Sequence, residues 1–294
     1  MKVLLLGANG MLGSQFKAQL KEIPGVELAA LTHKNVDITS YGNVKHHFDD
    51  FNPDVVINCV AYTHVDDAEF SSEKREAIAV NTDGPKNIAR LCAKSDAILI
   101  HFSTDYVFGG RKEPPNGYTE DEIPDPLNVY GDTKYQGEEM IRKEMVKYFV
   151  VRTSWLYGPR PEGDKSFVST MLRLGGEVLA GERPGLKVVG DQFGCPTYTV
   201  DLVQGVLKNF ILKAADPEKL PEFGIYHLTN DAFTSWHGFA AEIFKIREPR
   251  MQVQKVGSAE VPRPAVRPKN SILLNTKLPK LRTWKDALAD YLDS

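Results

Sequence analysis

Lys2-Val3-Leu4-Leu5-Leu6-Gly7-Ala8-Asn9-Gly10-Met11-Leu12-Gly13 joins a short apolar run to three glycines, and a helical pattern through Phe16 and Leu20 follows. The order is strand, glycine turn, helix. Glycines let backbone N–H groups approach a pyrophosphate, and the helix N-terminus adds positive partial charge. The spacing is G-x-x-G-x-x-G, so the G-x-G-x-x-G dinucleotide fingerprint is met only in part. The alternative is a plain turn between strand and helix. Its place directly after the first strand favours the dinucleotide reading.

Outward from this stretch, strand candidates lie at 2–6, 26–31, 54–59, 97–102 and 148–153, with helical patterns between them, for instance over 72–95 and 129–147. Apolar runs without alternation suit strands buried on both faces. Strands alternating with helices predict an α/β fold, a doubly wound parallel sheet of the Rossmann type. Ligands of such sheets sit at the C-terminal ends of the strands. Each run ends in chemically useful residues: the glycine loop, Thr32-His33-Lys34, Asn58 to Thr63, Ser103-Thr104-Asp105-Tyr106, and Thr153-Ser154-Trp155.

Asn128-Val129-Tyr130-Gly131-Asp132-Thr133-Lys134 places a phenol and an ammonium one helical turn apart. A lysine beside a tyrosine is expected to lower the phenol's pKa. A phenol so tuned can exchange a proton with a carbonyl or alcohol near neutral pH. Tyr41 and Lys45 share the spacing. Tyr41 follows Asp37-Ile38-Thr39-Ser40 in an expected surface helix and reads as structural. Tyr130 follows the strand ending in His101-Phe102 and a long loop over 109–126, and would open a helix near the strand ends. Loops of that length are often lids or disordered.

With 294 residues the chain can bury one large core, or a main domain and a smaller one. Hydrophobic content of 42% and charged content of 26% suit a soluble globular protein. A net charge of −3 gives no electrostatic case for nucleic acid or membrane binding. Cys59, Cys92 and Cys195 are few, odd in number and widely spaced, which argues against disulfides or a zinc site and suits a reducing cytoplasm. The apolar run at 3–6 is too short for a signal-peptide core, and no run has transmembrane length. His46-His47 and Asp66-Asp67-Glu69 lack spacing for a metal site and are expected to be solvated. No metal site is expected.

Gly7-x-x-Gly10-x-x-Gly13, Ser103-Thr104-Asp105-Tyr106-Val107-Phe108 and Tyr130-x-x-x-Lys134 resemble the extended short-chain dehydrogenase/reductases. Asn58-Cys59-Val60-Ala61-Tyr62-Thr63-His64-Val65-Asp66, Arg152-Thr153-Ser154-Trp155, Asp191-Gln192-Phe193-Gly194-Cys195-Pro196-Thr197 and Arg267-Pro268-Lys269-Asn270-Ser271 narrow the resemblance to the dTDP-4-dehydrorhamnose reductase family. The resemblance implies hydride transfer from NADPH or NADH to C4 of a 4-keto dTDP-sugar. Tyr130 then matches the proton donor, Lys134 its partner on the nicotinamide ribose, and Thr104 the hydroxyl on the reacting oxygen. Gly7, Asn9, Gly10, Met11 and Gly13 match the pyrophosphate loop, and Asp37 and Ile38 match adenine contacts. Ala61, Tyr62 and Ser103 match positions along the cofactor. Val65, Asp66, Asp105, Tyr106 and Trp155 match the sugar pocket. The implied layout is a dinucleotide domain over 1–155, to which about 199–230 returns. A smaller interleaved substrate lobe takes 156–198 and 231–294. A monomer or homodimer is expected. Some relatives hold magnesium at a subunit contact through an acid on the first helix; the matching residue here is Gln15, which brings no charge.

Rival readings stand beside several of these. Asp105 alone would cap a turn. Trp155 is either core packing or a sugar platform. Arg267 is either a phosphate contact, matched by guanidinium geometry, or an exposed loop arginine. Lys34 with Thr32, and no acid where NAD-selective sheets carry one, points to NADPH being used at least as well as NADH. Three function classes follow. The first is the reductase. The second is a related sugar-nucleotide dehydratase or epimerase. Dehydratases carry an Asp-Glu pair after the threonine, whereas Tyr106 follows Asp105 here. The third is a non-catalytic binding subunit, like the regulatory subunit of methionine adenosyltransferase that resembles this family.

Overall fold

Side chains alternate across a strand, so Val3 and Leu5 face one layer of helices and Leu4 and Leu6 the other, all four fully buried. This two-sided burial recurs in each central strand of the computed structural model, which describes residues 1–159, 163, 166–214 and 216–293. Of the lobe expected over 156–198 and 231–294, positions 160–162, 164, 165 and 294 lie outside the described residues.

The main strands are β1 (Lys2–Leu6), β2 (Glu27–Leu31), β3 (Val55–Asn58), β4 (Ile98–Thr104) and β5 (Tyr148–Thr153). Four short strands follow: β6 (Leu156–Tyr157), β7 (Leu186–Val189), β8 (Phe193–Gly194) and β9 (Thr197–Tyr198). Then come β10 (Gly224–His227), β11 (Thr234–Ser235) and β12 (Val253–Val256). The helices are α1 (Met11–Lys21), α2 (Tyr41–Phe51), α3 (Ser71–Ile78), α4 (Gly84–Ser95), α5 (Val129–Glu144), α6 (Phe167–Leu179), α7 (Thr199–Val206), α8 (Trp236–Arg247) and α9 (Trp284–Asp293).

The central sheet has six parallel strands in the order β10-β5-β4-β3-β1-β2, as expected of a doubly wound fold. The winding reverses between β1 and β3. Sheets of this kind take ligands beyond the strands' C-terminal ends at such a reversal, and there Gly7 lies against Cys59 and Val60. α1 and α7 cover one sheet face through Phe16, Leu202 and Val206. α2, α4 and α5 cover the other through Val44, Ile88 and Ile141. A third core gathers Tyr157, Val168, Phe239, Ile243, Trp284 and Leu288 from α6, α8, α9 and nearby strands.

One helix departs from the sequence expectation. The pattern over 72–95 breaks at a π-helical turn, Ala79–Asp83, between α3 and α4. A second such turn, Leu207–Ile211, follows α7. An inserted residue leaves no mark in hydrophobic periodicity, and such turns often occur at functional sites. The first aims Asn81 at the site. Its amide accepts from Tyr62 N at 2.9 Å and donates to Tyr62 O at 3.1 Å and Thr133 Oγ1 at 3.1 Å. The long loop over 109–126 is pinned rather than loose. Tyr118 exchanges backbone bonds of 2.8 Å with Ile272 and Leu274, and its ring stacks on Phe108.

β5 and α5 are joined by a buried ion pair. Arg152 Nη2 lies 2.7 Å from Glu138 Oε2, and both side chains are 1% exposed. The ring of Phe108 covers the guanidinium at 5.2 Å. Removing one partner of such a pair strands a buried charge. Glu138→Gln should therefore lower the unfolding free energy by about 3 kcal/mol or more in urea titrations. A loss within experimental error would mean that the pair does not hold α5 to the sheet.

Candidate active site

The glycine loop is shaped by sterics. Gly7 has φ +83°, which favours glycine. An added Cβ on Gly13 would sit 2.1 Å from the Gly7 carbonyl oxygen, so α1 can approach the loop only without a side chain there. Gly10 caps α1 without a side-chain hydrogen bond. The helix's first N–H groups therefore face the loop, where an anionic group would be stabilised. These features fit a dinucleotide pyrophosphate. Beyond β2, Thr32 and Asn35 bond to each other at 2.8 Å, and His33 and Lys34 are exposed with no acid among them. Asp37 turns back to accept from Thr39, while Ile38 is 3% exposed and packs in the core.

Thr104 and Tyr130 meet because two elements end together. β4 delivers Thr104, whose Oγ1 accepts from Tyr106 N at 3.2 Å and donates to Asp105 Oδ1 at 3.1 Å. α5 starts at Asn128, whose side chain accepts from Gly131 N at 2.8 Å. A Cβ on Gly131 would lie 2.2 Å from the Tyr106 carbonyl oxygen, so glycine lets the helix start against the end of β4. The Tyr130 phenol lies beside the Thr104 hydroxyl, which favours its charged form. Its ring meets that of Tyr106 edge-on at 6.0 Å. One turn on, Lys134 is buried with Nζ 2.6 Å from Phe102 O and 3.3 Å from His101 Nε2.

The electrostatics reverse one expectation. Burial pushes the Tyr130 phenol up to about 12, and the Thr104 hydroxyl only partly offsets it. A lysine at that spacing is expected to lower it. Instead the lysine nitrogen is engaged by Phe102 O and His101, and desolvation is the largest cause acting on the phenol. Burial also brings Lys134 down to about 8. The phenol thus holds its proton near neutrality, as a donor must.

Other candidates fall around this centre. Ser103 Oγ, Thr153 Oγ1 and Trp155 Nε1 are buried polar atoms without a hydrogen-bond partner, at or just beyond the ends of β4 and β5. They leave polar capacity for a ligand. Trp155 stacks on Trp236 with centroids 3.5 Å apart, so one indole face is given to the protein. The fork of Arg267 is taken by Asp66, with contacts of 2.5 and 2.8 Å, instead of standing open for phosphate. That guanidinium holds the Asp66 carboxyl below its ordinary range. Asp66 and Glu69 are therefore not solvated as expected, since Glu69 accepts from Val129 N at 2.9 Å. Val65 and Ala61 are half-buried in the loop after β3. Tyr62 is buried and donates to Glu73 at 2.8 Å. Gln15 donates to Pro159 O. Among the described residues no three His, Cys, Asp or Glu side chains stand together as a metal site. Tyr41 accepts from Lys94, and Lys45 pairs with Asp49, so that tyrosine–lysine pair is divided between other partners.

Sequence reasoning missed Asn81, Trp236, and the Asn58–His101 contact beside Lys134. It also missed Ser271 Oγ, which donates to Asp105 Oδ2 at 2.5 Å. Ser271 lay within a quoted motif, but nothing in the sequence paired it with Asp105.

A family model described as the RmlD substrate binding domain matches residues 1–294. A spore coat polysaccharide biosynthesis protein of Bacillus subtilis is 37% identical, covering 99% of this chain and 96% of that protein. A solved dTDP-4-dehydrorhamnose reductase from Clostridium acetobutylicum is 39% identical with a TM-score of 0.89, covering 100% of this chain and 99% of that one. A dTDP-4-dehydrorhamnose reductase from Bacillus anthracis, solved with NADP, is 35% identical with a TM-score of 0.86, covering 99% and 98%.

Asp105 supplies a test of the site's dryness. Burial pushes its carboxyl up to about 7, against bonds from Ser271 and Thr104 that favour the charge. A carboxyl that binds its proton more tightly when folded favours the fold at low pH. That contribution is lost as pH rises from the ordinary carboxylate range through about 7. The slope from one such group is at most about 1.4 kcal/mol per pH unit. In urea titrations across this window, Asp105→Asn should lose less stability with rising pH than the native protein. Parallel curves would show an unperturbed carboxyl.

Proposed function

The chain belongs to the dTDP-4-dehydrorhamnose reductase family, and on that footing we propose that it reduces dTDP-4-dehydro-L-rhamnose to dTDP-L-rhamnose. The observation that carries this reading is the pairing of the Thr104 hydroxyl with a protonated Tyr130 at the C-terminal end of β4. A bound NADPH or NADH supplies the hydride. The chain's own part is to bind, orient and move a proton. Gly7, Asn9, Gly10, Met11 and Gly13 would hold the pyrophosphate. Asp37, Ile38, Ala61, Tyr62 and Ser103 would lie along the cofactor, and Lys134 would hold its ribose.

As negative charge develops on the sugar O4, the Thr104 hydroxyl and the Tyr130 phenol donate to it. Both oxygens are held in place before the reaction, and the Thr104 proton turns from Asp105 to O4 as charge develops. Tyr130 then gives up its proton. Val65, Asp66, Asp105, Tyr106 and Trp155 would line the sugar, and Arg267 would act through Asp66 and Tyr106. We read 156–198 and 231–294 as the lobe that holds the nucleotide end. The absence of a second acid after Asp105 disfavours dehydration. No helix among the described residues is long and apolar enough to cross a membrane.

Tyr130→Phe should fold normally and lower turnover by roughly 10²–10⁴-fold, the usual worth of general acid catalysis. Lys134→Ala should lower turnover and weaken cofactor binding, and Tyr41→Phe should do neither. Cofactor absorbance should fall in step with product from the 4-keto sugar, and dTDP-glucose should give none. Equal losses at Tyr41 and Tyr130, or a 4-keto product from dTDP-glucose, would defeat the assignment.

Cofactor choice gives a separate test. With Lys34 exposed and no acid among Thr32, His33 and Lys34, kcat/KM should be at least as high for NADPH as for NADH. Lys34→Ala should lower the NADPH value selectively. A native preference for NADH, or an unchanged ratio in the variant, removes Lys34 from the 2′-phosphate site.

A further inference from the structure

A row of hydrogen bonds runs beneath Tyr130, and its donors and acceptors can be counted. Val60 N–H donates to Asn58 Oδ1 at 3.0 Å, and a backbone N–H has no other role. That bond fixes the Asn58 amide, so Nδ2 is the atom 3.1 Å from His101 Nδ1. Asn58 and His101 are register partners on β3 and β4, which holds the two side chains on one sheet face. His101 Nε2 faces Lys134 Nζ at 3.3 Å, and Nζ donates to Phe102 O at 2.6 Å. All three side chains are buried, at 1%, 1% and 2% exposure.

With Lys134 uncharged, every contact pairs a donor with an acceptor. Asn58 donates to Nδ1, Nε2–H donates to the amine lone pair, and the amine donates to Phe102. With Lys134 charged, one donor always meets a donor. A proton on Nε2 opposes the ammonium, a proton on Nδ1 opposes the Asn58 amide, and a turned amide opposes Val60 N–H. Unmatched buried donors are costly.

We propose that Asn58 and His101 are positioning residues that set the proton count of Lys134, favouring the amine over the ammonium so that it can release a proton during turnover. The directions of titration agree: burial and the neighbouring lysine keep His101 neutral, and burial brings Lys134 down. The other ionisable groups acting on Lys134 are Cys59 beyond β3 and Glu138 on α5, with Glu138 committed to Arg152 of β5.

The proposal deepens the reductase reading, so its test has one arm without turnover. Long-range ¹H–¹⁵N NMR of the ¹⁵N-histidine-labelled protein reports the tautomer of each of its seven histidines, and His101→Gln identifies the signal. At about pH 9, where Lys134 is mostly the amine, His101 should be neutral, with its proton on Nε2 and Nδ1 bare. A proton on Nδ1, or an imidazolium, overturns the proposal. In the second arm, Asn58→Asp offers one carboxylate oxygen to Val60 N–H and the other to Nδ1–H. The Nε2 lone pair then turns to Lys134 and favours the ammonium. The alkaline limb of kcat/KM should move up by about one pH unit or more. His101→Gln, whose amide oxygen can face Nζ, should move it the same way. Limbs that coincide with the native one in folded variants would leave the row a purely structural feature and overturn the proposal. A native protein without turnover would count against the reductase reading, while the tautomer result still decides this one.

Discussion

The bond from Lys134 Nζ to the Phe102 carbonyl, 2.6 Å long and almost wholly buried, is the constraint around which the site is built. A buried amine is costly unless it is bonded, so the bond ties α5 to the end of β4. Two glycines make the approach possible. A Cβ on Gly131 would strike the Tyr106 carbonyl, and one on Gly137 would sit 2.1 Å from the Asn81 carbonyl oxygen. With the helix this close, Tyr130 reaches Thr104. The Glu138–Arg152 pair secures the same helix to β5 one turn further on.

Burial sets the charge state of the site more than any ion pair does. Tyr130 and Asp105 are pushed up, Lys134 and His101 are pushed down, and desolvation is the largest cause in each. Each shift favours the uncharged form. In the proposed reaction the charge that matters arises on the substrate, where the Thr104 and Tyr130 hydroxyls would meet it in a medium that screens little.

The parallel sheet was legible because strands buried on both faces must be short apolar runs, and the chain has them. The glycine loop was legible because sterics admit few residues at Gly7 and Gly13. The Tyr130–Lys134 spacing was legible as a shared helix face, but its electrostatics were not. Spacing shows that two residues are near, while the sign of a pKa shift depends on desolvation and on what else the lysine bonds. The π turn at Ala79–Asp83 was invisible because one extra residue does not disturb a short apolar pattern. Asp66–Arg267 and Asp105–Ser271 were hidden for another reason. They join residues 201 and 166 positions apart, and nothing local marks a partner at that distance.

In the proposed reaction a hydride is delivered to C4 of a keto sugar over Thr104 and Tyr130. A single turnover with NADPH deuterated at both C4 positions of the nicotinamide, followed by NMR of the dTDP-sugar formed, tests this. One deuterium should appear at C4 of the sugar. Reduction that leaves C4 unlabelled, or deuterium at any other sugar carbon, would contradict it.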